Sequence, residues 1–206
     1  MTIKLQQSDI GHINIALTGK MRSGKDTVAR NLIRLMSEEY KVQTFAFGDS
    51  LKVYAKELFP DEFVNGRKPR DLFQWFGQTL RSRNEDVWIN QLAKELNKYN
   101  TTYEALNKKV VNIITDLRQP NEYQFCKENG FYIIKVECDD AIRIKRMDGL
   151  NDNFDIKDLT HETERYIDTF DYDYLISTTH MSIEECEERV KGLVRFINKK
   201  EKKRGK

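Results

Sequence analysis

The chain has 206 residues, of which 39% are hydrophobic and 33% are charged. This length and composition predict a charged globular chain with one apolar core, either one domain or one domain with a small insertion. The mean hydropathy is −0.70 and no apolar run reaches the length of a membrane span, which excludes a transmembrane protein. Ten glycines and three prolines argue against collagen-like, low-complexity and most Gly/Pro-rich repeat proteins.

Positive charge is concentrated at one end of the chain. The 35 lysines and arginines against 33 aspartates and glutamates give a net charge of +2. Residues 199–206 contribute six basic groups and one acidic group, so 29 basic and 32 acidic residues remain elsewhere. A basic tail of this kind attracts nucleic acid or other phosphates. We favour the simpler interpretation of a solvated, frayed terminus and therefore expect no nucleic-acid partner.

The cysteines and the N-terminal residues predict where in the cell the protein is located. Cys126, Cys138 and Cys186 are widely spaced, odd in number and part of no metal-binding motif, which indicates reduced thiols in a cytosol. The first twelve residues lack the charged-then-apolar layout of a signal peptide. We expect a cytoplasmic protein without a membrane partner.

Short apolar runs alternate with amphipathic helical patterns along the chain. The first half predicts strands over 12–17 and 42–47, a tight loop over 18–24, a helix from Asp26, and helices over 50–59, 70–83 and 86–99. The second half predicts strands over 110–115, 131–136 and 174–177, a helix with Pro120 at its first position, and a closing helix from about 182. Continuous apolar strands separated by helices predict an α/β fold around a parallel sheet.

Two stretches do not fit this alternation. Residues 60–108 are rich in predicted helix, and we interpret them as an insertion on the substrate side of the sheet. Residues 148–165 are polar and loop-like, and we interpret them as a mobile lid. Just before that lid, Arg143 and Arg146 share one helix face because they are three residues apart. They would either close over bound phosphates or form an ordinary solvated face.

The clearest motif is the segment Gly19-Lys-Met-Arg-Ser-Gly-Lys25, which follows a predicted strand and precedes a predicted helix. In that context the glycines let successive backbone N–H groups point at one anion, and the helix N-terminus adds its positive end. Lys25 then reaches the β- and γ-phosphates of a nucleotide. The segment therefore predicts a phosphate-binding loop, or P-loop, and nucleotide binding.

One position departs from the strict P-loop pattern. Ser or Thr is expected directly after the lysine, but Asp26 stands there and Thr27 follows. Thr27, one residue beyond the expected position, is placed to hydrogen-bond a phosphate. Asp26 is placed to hold Mg²⁺ through water or to lie near the attacking oxygen. Without a ligand role, Asp26 would be a first-turn acid that the helix dipole favours.

A second candidate site follows the strand predicted over 110–115. Asp116 lies at the carboxyl end of a strand, where α/β sheets bind ligands, and is suited to Mg²⁺ or to substrate orientation. Arg118 carries the planar fork that clamps a phosphate. The alternative is that Asp116 and Arg118 cap the next helix. We favour the functional interpretation because the pair follows a sheet strand.

Several short motifs occur along the chain in one order. They are Ser-Gly-Lys-Asp at 23–26, a small-residue turn with a lysine at 48–52, helical segments at 72–81 and 86–90, Asp-Leu-Arg at 116–118, and Thr-His-Glu-Thr-Glu at 160–164. In this order they resemble the bacteriophage-type deoxynucleoside monophosphate kinases and, more distantly, the animal-type phosphomevalonate kinases. Gln119 stands where the phosphomevalonate kinases have a second arginine, which favours the nucleotide-kinase branch.

The resemblance implies a three-layer P-loop NTPase fold of the nucleoside monophosphate kinase type, with a helical substrate-binding insertion and a lid. It implies transfer of the γ-phosphate of ATP, with Mg²⁺, to a (deoxy)nucleoside monophosphate, and it suggests a homodimer. The residues expected to be catalytic are Lys25, Asp26, Asp116 and Arg118, with Asp26 and Asp116 near the metal. Those expected to bind ATP are Gly19, Arg22, Ser23, Gly24, Lys25, Asp26, Thr27, Arg143 and Arg146.

The expected contacts to the second substrate come mainly from the insertion and the lid. They are Lys52, Gln74, Trp75, Gln78, Arg81, Arg118, His161 and Glu164. Gln74 and Gln78 would read a base edge, and Trp75 would stack on the base. Phe76 has the same aromatic character, but we expect it in the core.

The sequence leaves two other functions open. The first is a P-loop kinase of another small phosphorylated metabolite, such as phosphomevalonate or dephospho-coenzyme A. The second is a nucleotide-binding regulatory or nucleic-acid-associated protein that hydrolyses ATP slowly, for which the basic tail is the support. Against a motor or helicase, the sequence shows neither a full hydrolytic Mg²⁺ motif nor a water-positioning residue.

Overall fold

A parallel sheet of five strands organises the computed structural model, which describes residues 2–6, 10–66, 68–148 and 165–204. The strands are β1 (Ile13–Thr18), β2 (Lys41–Phe45), β3 (Val110–Leu117), β4 (Tyr132–Glu137) and β5 (Tyr174–Ser177). Their order in the sheet is β2-β3-β1-β4-β5, and every neighbouring pair is parallel. The predicted α/β class is thus confirmed. Because all carboxyl ends meet at one edge, the loops that follow these strands lie together.

Helices connect the strands and cover both faces of the sheet. They are α1 (Lys25–Met36), α2 (Asp49–Leu58), α3 (Arg70–Arg83), α4 (Val87–Glu104), α5 (Pro120–Glu128), α6 (Asp140–Asp148) and α7 (Ile183–Arg204). Two 3₁₀ helices, Pro60–Gly66 and Ile167–Thr169, complete the described elements. Pro120 occupies the first position of α5, as predicted, because its missing N–H has no partner to lose there.

Two apolar cores lie on opposite faces of the sheet. On one face, Ile15 and Ile113 pack with Leu32 of α1 and Leu193 of α7. On the other face, Ile114 packs with side chains of α4 and α5, and all of these side chains are nearly or fully excluded from water. A parallel strand buried on both faces must be largely apolar at successive positions, which explains the nearly continuous apolar runs of β1, β3 and β4.

A third, smaller core joins α2, α3 and α4. Leu51, Phe76 and Trp88 meet there, and the Trp88 Nε1–H donates to the Gly77 carbonyl at 3.3 Å. A Cβ on Gly77 would come within 2.6 Å of a Leu51 methyl group, so glycine is what lets α2 and α3 approach. Phe76 is 8% exposed, which confirms its predicted place in the core.

The structure corrects two predictions at element ends. Strand β3 runs two residues beyond the predicted 110–115, so Asp116 belongs to the strand itself. The interpretation of the basic tail as frayed is wrong as far as Arg204, because α7 continues to that residue.

Within the described residues, no helix combines the length and apolar character that a membrane crossing needs.

Candidate phosphate-binding cleft

The P-loop follows β1 and ends where α1 begins. Gly19 has a φ of +152°, and a Cβ there would lie 2.1 Å from the Val136 carbonyl oxygen of β4. Gly24 has a φ of +93° and is the N-cap of α1. Neither position accepts a side chain without strain, so both glycines are needed to bring the loop back over the sheet and into the helix.

Lys25 folds back over this loop. Its Nζ donates to the carbonyls of Gly19 at 2.5 Å and Lys20 at 2.9 Å, and the residue is 8% exposed. The ammonium group is therefore held at the loop before any nucleotide arrives. Binding a phosphate would exchange these neutral carbonyl acceptors for anionic oxygens, so that donor and acceptor would both be charged.

Three successive carbonyl groups of the P-loop are held from outside the loop. Arg143 Nε donates to the Met21 carbonyl at 2.7 Å, Arg146 Nη1 donates to the Arg22 carbonyl at 3.2 Å, and the Thr178 hydroxyl donates to the Ser23 carbonyl at 2.7 Å. Arg143 is 3% exposed, so its interpretation as part of a solvated helix face is wrong. Helix α6 and the end of β5 thus fix the backbone of the loop.

A cavity of about 870 Å³ opens beside the P-loop at the carboxyl edge of the sheet. Eight basic and only two acidic residues line it. Four of the basic residues belong to the P-loop, α1 and α6, namely Arg22, Lys25, Arg30 and Arg146. The other four come from α2, the entry to α3 and the residue after β3, namely Lys52, Lys68, Arg70 and Arg118. This charge balance suits two phosphate-bearing ligands in one space.

Asp116 closes the turn between β2 and α2. Its Oδ1 accepts from the Phe47 N–H at 2.8 Å and its Oδ2 from the Gly48 N–H at 3.1 Å. Burial raises the pKa of this carboxyl, while the two amides, Arg118 and Lys52 counteract that rise. Asp116 does not cap the following helix, so that alternative is wrong. It positions the segment that carries Lys52 and still lines the cavity.

Glu122 caps α5 and shapes the exit from β3. Its Oε2 accepts from the backbone N–H groups of Arg118 and Gln119, each at 3.0 Å, and Gln119 completes a capping box. Burial first, and then the charge of Asp116, raises the pKa of Glu122 to about 7. The capped turn fixes the backbone from which Arg118 enters the cavity.

The structure places several predicted substrate contacts away from the cavity. Gln74, Trp75 and Gln78 are exposed on α3 and do not line it, and Trp75 packs its ring on Phe59 at a centroid distance of 6.0 Å. Arg81 also lies outside the lining, with its Nη2 3.9 Å from Glu122 Oε1. His161 and Glu164, like most of the predicted lid, fall outside the described residues.

Sequence reasoning missed three features of the cleft. Lys68 and Arg70 flank Pro69 in a short basic run, which is a sequence signal for a phosphate contact. Arg30 lies one helical turn beyond Asp26 and lines the cavity with it. Thr178 gives no sequence signal, since a single threonine after a strand is ordinary.

The carboxylates present fit a magnesium ion held largely by its nucleotide. Among the described residues, no group of three or more His, Cys, Asp and Glu side chains forms a dedicated metal cage. Mg²⁺ is usually bound through one or two carboxylates together with substrate phosphates and water. Asp26, Thr27 and Asp116 line the same cavity as Lys25, so they supply a donor set of that kind.

A family model described as an AAA domain matches residues 15–167. A protein of Acanthamoeba polyphaga mimivirus named "Putative deoxynucleotide monophosphate kinase" is 31% identical over 144 residues, which cover 60% of this chain and 72% of that protein.

The fold is shared with a solved bacterial protein structure. The Thermus thermophilus protein TT1252 aligns with a TM-score of 0.56 at 21% identity, over 89% of this chain and 97% of that one. A shikimate kinase from Acinetobacter baumannii aligns with a TM-score of 0.47 at 14% identity, over 92% and 94% of the two chains.

The sheet, the glycine-bounded loop and the lysine at the start of α1 define a nucleotide-binding P-loop protein with the α/β fold of the P-loop kinases. The family match covers more than half of the residues. The chain belongs to the AAA domain family.

Proposed function

We propose that this protein transfers the γ-phosphate of ATP to the phosphate of a deoxynucleoside or ribonucleoside monophosphate, giving the diphosphate and ADP. One observation carries the proposal: two sets of four basic residues, from different elements, face a single cavity. A nucleotide hydrolase needs one phosphate-binding end, whereas a kinase with a phosphorylated acceptor needs two. The order of motifs and the name of the mimivirus relative support a deoxynucleotide acceptor.

The donor end would hold ATP through the P-loop. Backbone N–H groups and the start of α1 bind the phosphates, and Lys25 stabilises charge on the transferring group. Asp26, Thr27 and Asp116 would hold Mg²⁺, which neutralises phosphate charge when bound. Phosphoryl transfer depends on positioning and charge stabilisation rather than on a covalent protein intermediate, which agrees with a cleft lined mainly by cations.

The acceptor end would hold the monophosphate. Arg118 leaves the capped turn after β3, and Lys52 lies on α2, one turn beyond the segment that Asp116 fixes. Lys68 and Arg70 join them from the entry to α3. An in-line transfer requires the acceptor oxygen to approach the γ-phosphate, and these residues line the cavity that Lys25 also lines. We infer that they orient the acceptor.

A second candidate is a kinase of another small phosphorylated metabolite. The residues predicted to read a base, Gln74, Trp75 and Gln78, lie outside the cavity lining. The residues proposed to bind the acceptor phosphate, such as Lys52 and Arg118, line the cavity. The acceptor end is thus defined by its affinity for phosphate more than by contacts to a base. Phosphomevalonate and dephospho-coenzyme A are the corresponding substrates.

The test is a coupled ADP-release assay with Mg-ATP and a panel of ribo- and deoxynucleoside monophosphates. Phosphomevalonate and dephospho-coenzyme A serve as competing acceptors. Turnover with one or a few nucleotides is the expected result and would name the base. Turnover only with one of the other acceptors would move the protein to the second candidate. ATP binding without any transfer would contradict both and leave a regulatory nucleotide-binding role, which salt-dependent DNA binding through 199–206 would support.

A further inference from the structure

We propose that Thr178, the residue directly after β5, is a positioning residue that sets the P-loop backbone for the nucleotide. The proposal deepens the donor half of the proposed function and rests on it only for the identity of the nucleotide. No motif pointed to Thr178, and its partner Ser23 lies 155 residues away in the sequence. The residue acts through the loop, so no transfer step is assigned to it.

The Thr178 hydroxyl is the centre of a small hydrogen-bond network. Its proton is donated to the Ser23 carbonyl at 2.7 Å, which is nearer than the Glu137 carbonyl at 3.3 Å, and its oxygen accepts from Arg146 Nη1 at 3.1 Å. The backbone of Thr178 is also fixed, since its N–H donates to the Glu137 carbonyl at 2.9 Å and its carbonyl accepts from Arg146 Nη2 at 2.8 Å. Thr178 is 4% exposed, so water does not replace these contacts readily.

A fixed carbonyl also fixes the amide that follows it. The peptide unit is planar and trans, so the C=O of Ser23 and the N–H of Gly24 point in opposite directions. With its carbonyl held by Thr178, Ser23 directs the Gly24 N–H away from β5. Gly24 is the N-cap of α1 and lines the cavity. Thr178 thereby selects the orientation of a peptide group at the anion-binding end of the helix.

The methyl group of Thr178 lies against the same loop. A Cβ on Gly24 would lie 3.3 Å from Thr178 Cγ2, so the threonine packs closely against the loop. Arg146 joins the same network, because its Nη1 is within hydrogen-bond distance of both the Arg22 carbonyl and the Thr178 hydroxyl. Removing the hydroxyl would leave the Ser23 carbonyl without this donor and would remove one of the two acceptors of Arg146 Nη1.

The experiment compares Thr178→Val, which keeps the shape and loses the hydroxyl, with Thr178→Ser, which keeps the hydroxyl. Thr179→Val is the matched control, because the neighbouring hydroxyl accepts from the Asp139 N–H at 3.0 Å and makes no contact with the P-loop that the structure shows. Dissociation constants for Mg-ADP are measured on the full chain without any acceptor, together with the melting temperatures of the free proteins.

Thr178→Val is expected to weaken Mg-ADP binding about tenfold, since a buried carbonyl loses its donor. Thr178→Ser and Thr179→Val should stay within about twofold of the parent. In the transfer assay, KM for ATP should rise while KM for the acceptor stays unchanged. Thr178→Ala provides a second hydroxyl-free variant if the valine does not fold.

Equal Mg-ADP binding by the parent and Thr178→Val would overturn the proposal, as would a serine variant as weak as the valine variant. The acceptor panel on the parent protein is a separate measurement. If the parent uses no monophosphate and the Mg-ADP pattern still holds, the proposed function fails and the positioning role stands.

Discussion

The two ends of the cleft are built differently. At the donor end, the P-loop carbonyls accept from Arg143, Arg146 and Thr178, and Lys25 is almost fully buried. At the acceptor end, the side chain of Lys52 is 51% exposed, and its Nζ makes an ion pair with Asp49 at 3.0 Å. The P-loop backbone and Lys25 are thus positioned before binding, whereas the exposed side chains of Lys52 and Lys68 must lose conformational entropy when they bind a phosphate.

The largest expected effect is at the donor end. Lys25→Ala should lower kcat about 10³-fold, because it removes a charge that stabilises the transferring phosphoryl group. The fold should persist, since the α1 residues that form the core are unchanged. Steady-state kinetics and a thermal melt check both parts of this prediction.

Lys56→Ala, on the exposed last turn of α2, is the matched control for the loss of one positive charge. It should leave kcat and KM within about twofold of the parent, as expected for an exposed site remote from specific contacts. Activity of Lys25→Ala within tenfold of the parent would contradict the donor-end mechanism.

A smaller and more selective effect is expected at the acceptor end. Arg118→Ala should raise KM for the monophosphate about 10- to 100-fold, because a charge-assisted hydrogen bond to phosphate is lost. KM for ATP should change by about twofold or less, since the donor phosphates are held by other groups. Arg83→Ala, exposed at the end of α3, serves as the control. An equal rise in both KM values would show that Arg118 does not belong to the acceptor end.

The buried carboxylate beside Arg118 predicts a pH dependence of stability. Because the pKa of Glu122 is raised to about 7 from an ordinary 4.5, the folded protein binds this proton more tightly than the unfolded chain does. The stabilisation from that proton is complete below about pH 4.5 and is lost as the pH rises through about 7. The neighbours Asp116 and Arg81 act in opposite directions on the same group.

Glu122→Gln should remove this dependence. We expect the free energy of unfolding of the parent, relative to the variant, to fall by about 1–3 kcal/mol between pH 5 and pH 8. Urea midpoints at the two pH values measure it, with Glu128→Gln, exposed on the same helix, as the control. A parent–variant difference that is the same at both pH values would rule out a raised pKa at Glu122.

The parts of the molecule predicted from sequence are those with local signals. The bounds of α3 and β5 agree with prediction, and the P-loop and Pro120 lie where the pattern indicated. These features depend on residues that are neighbours in the chain, such as a glycine at a turn or an apolar run on a buried strand. The fold class follows from the alternation of such segments.

The parts that could not be predicted depend on distant packing. The packing of Phe76 and Gly77 on Trp88 and Leu51 decides which face of α3 is buried. Gln74 and Gln78 therefore lie on the exposed face of the helix. The sequence pattern placed Asp116 correctly at the carboxyl edge of the sheet. Its hydrogen-bond donors, the N–H groups of Phe47 and Gly48, belong to the connection between β2 and α2, which is distant in the chain. The link from Thr178 to Ser23 exists only because α6 and β5 pack against the P-loop.

The smallest expected effect lies far from both ends of the cleft, at the end of α7. The Arg204 guanidinium carbon lies 4.7 Å from the centre of the Tyr132 ring, and the Tyr132 hydroxyl donates to Glu201 Oε1 at 2.8 Å. These contacts explain why the basic segment continues as helix through Arg204. Arg204→Ala should lower the free energy of unfolding by about 0.5–1 kcal/mol, as expected for an exposed cation–π contact.

Lys203→Ala removes the same charge from the same turn, and none of the described contacts involves its side chain. It should change stability by less than about 0.5 kcal/mol. Neither variant should alter KM for ATP or for the acceptor, since Tyr132 begins the strand β4 and so lies at the amino edge of the sheet, opposite the cleft. A change in either KM on replacing Arg204 would show that α7 transmits its packing to the P-loop, and the donor end would then depend on the tail as well as on Thr178.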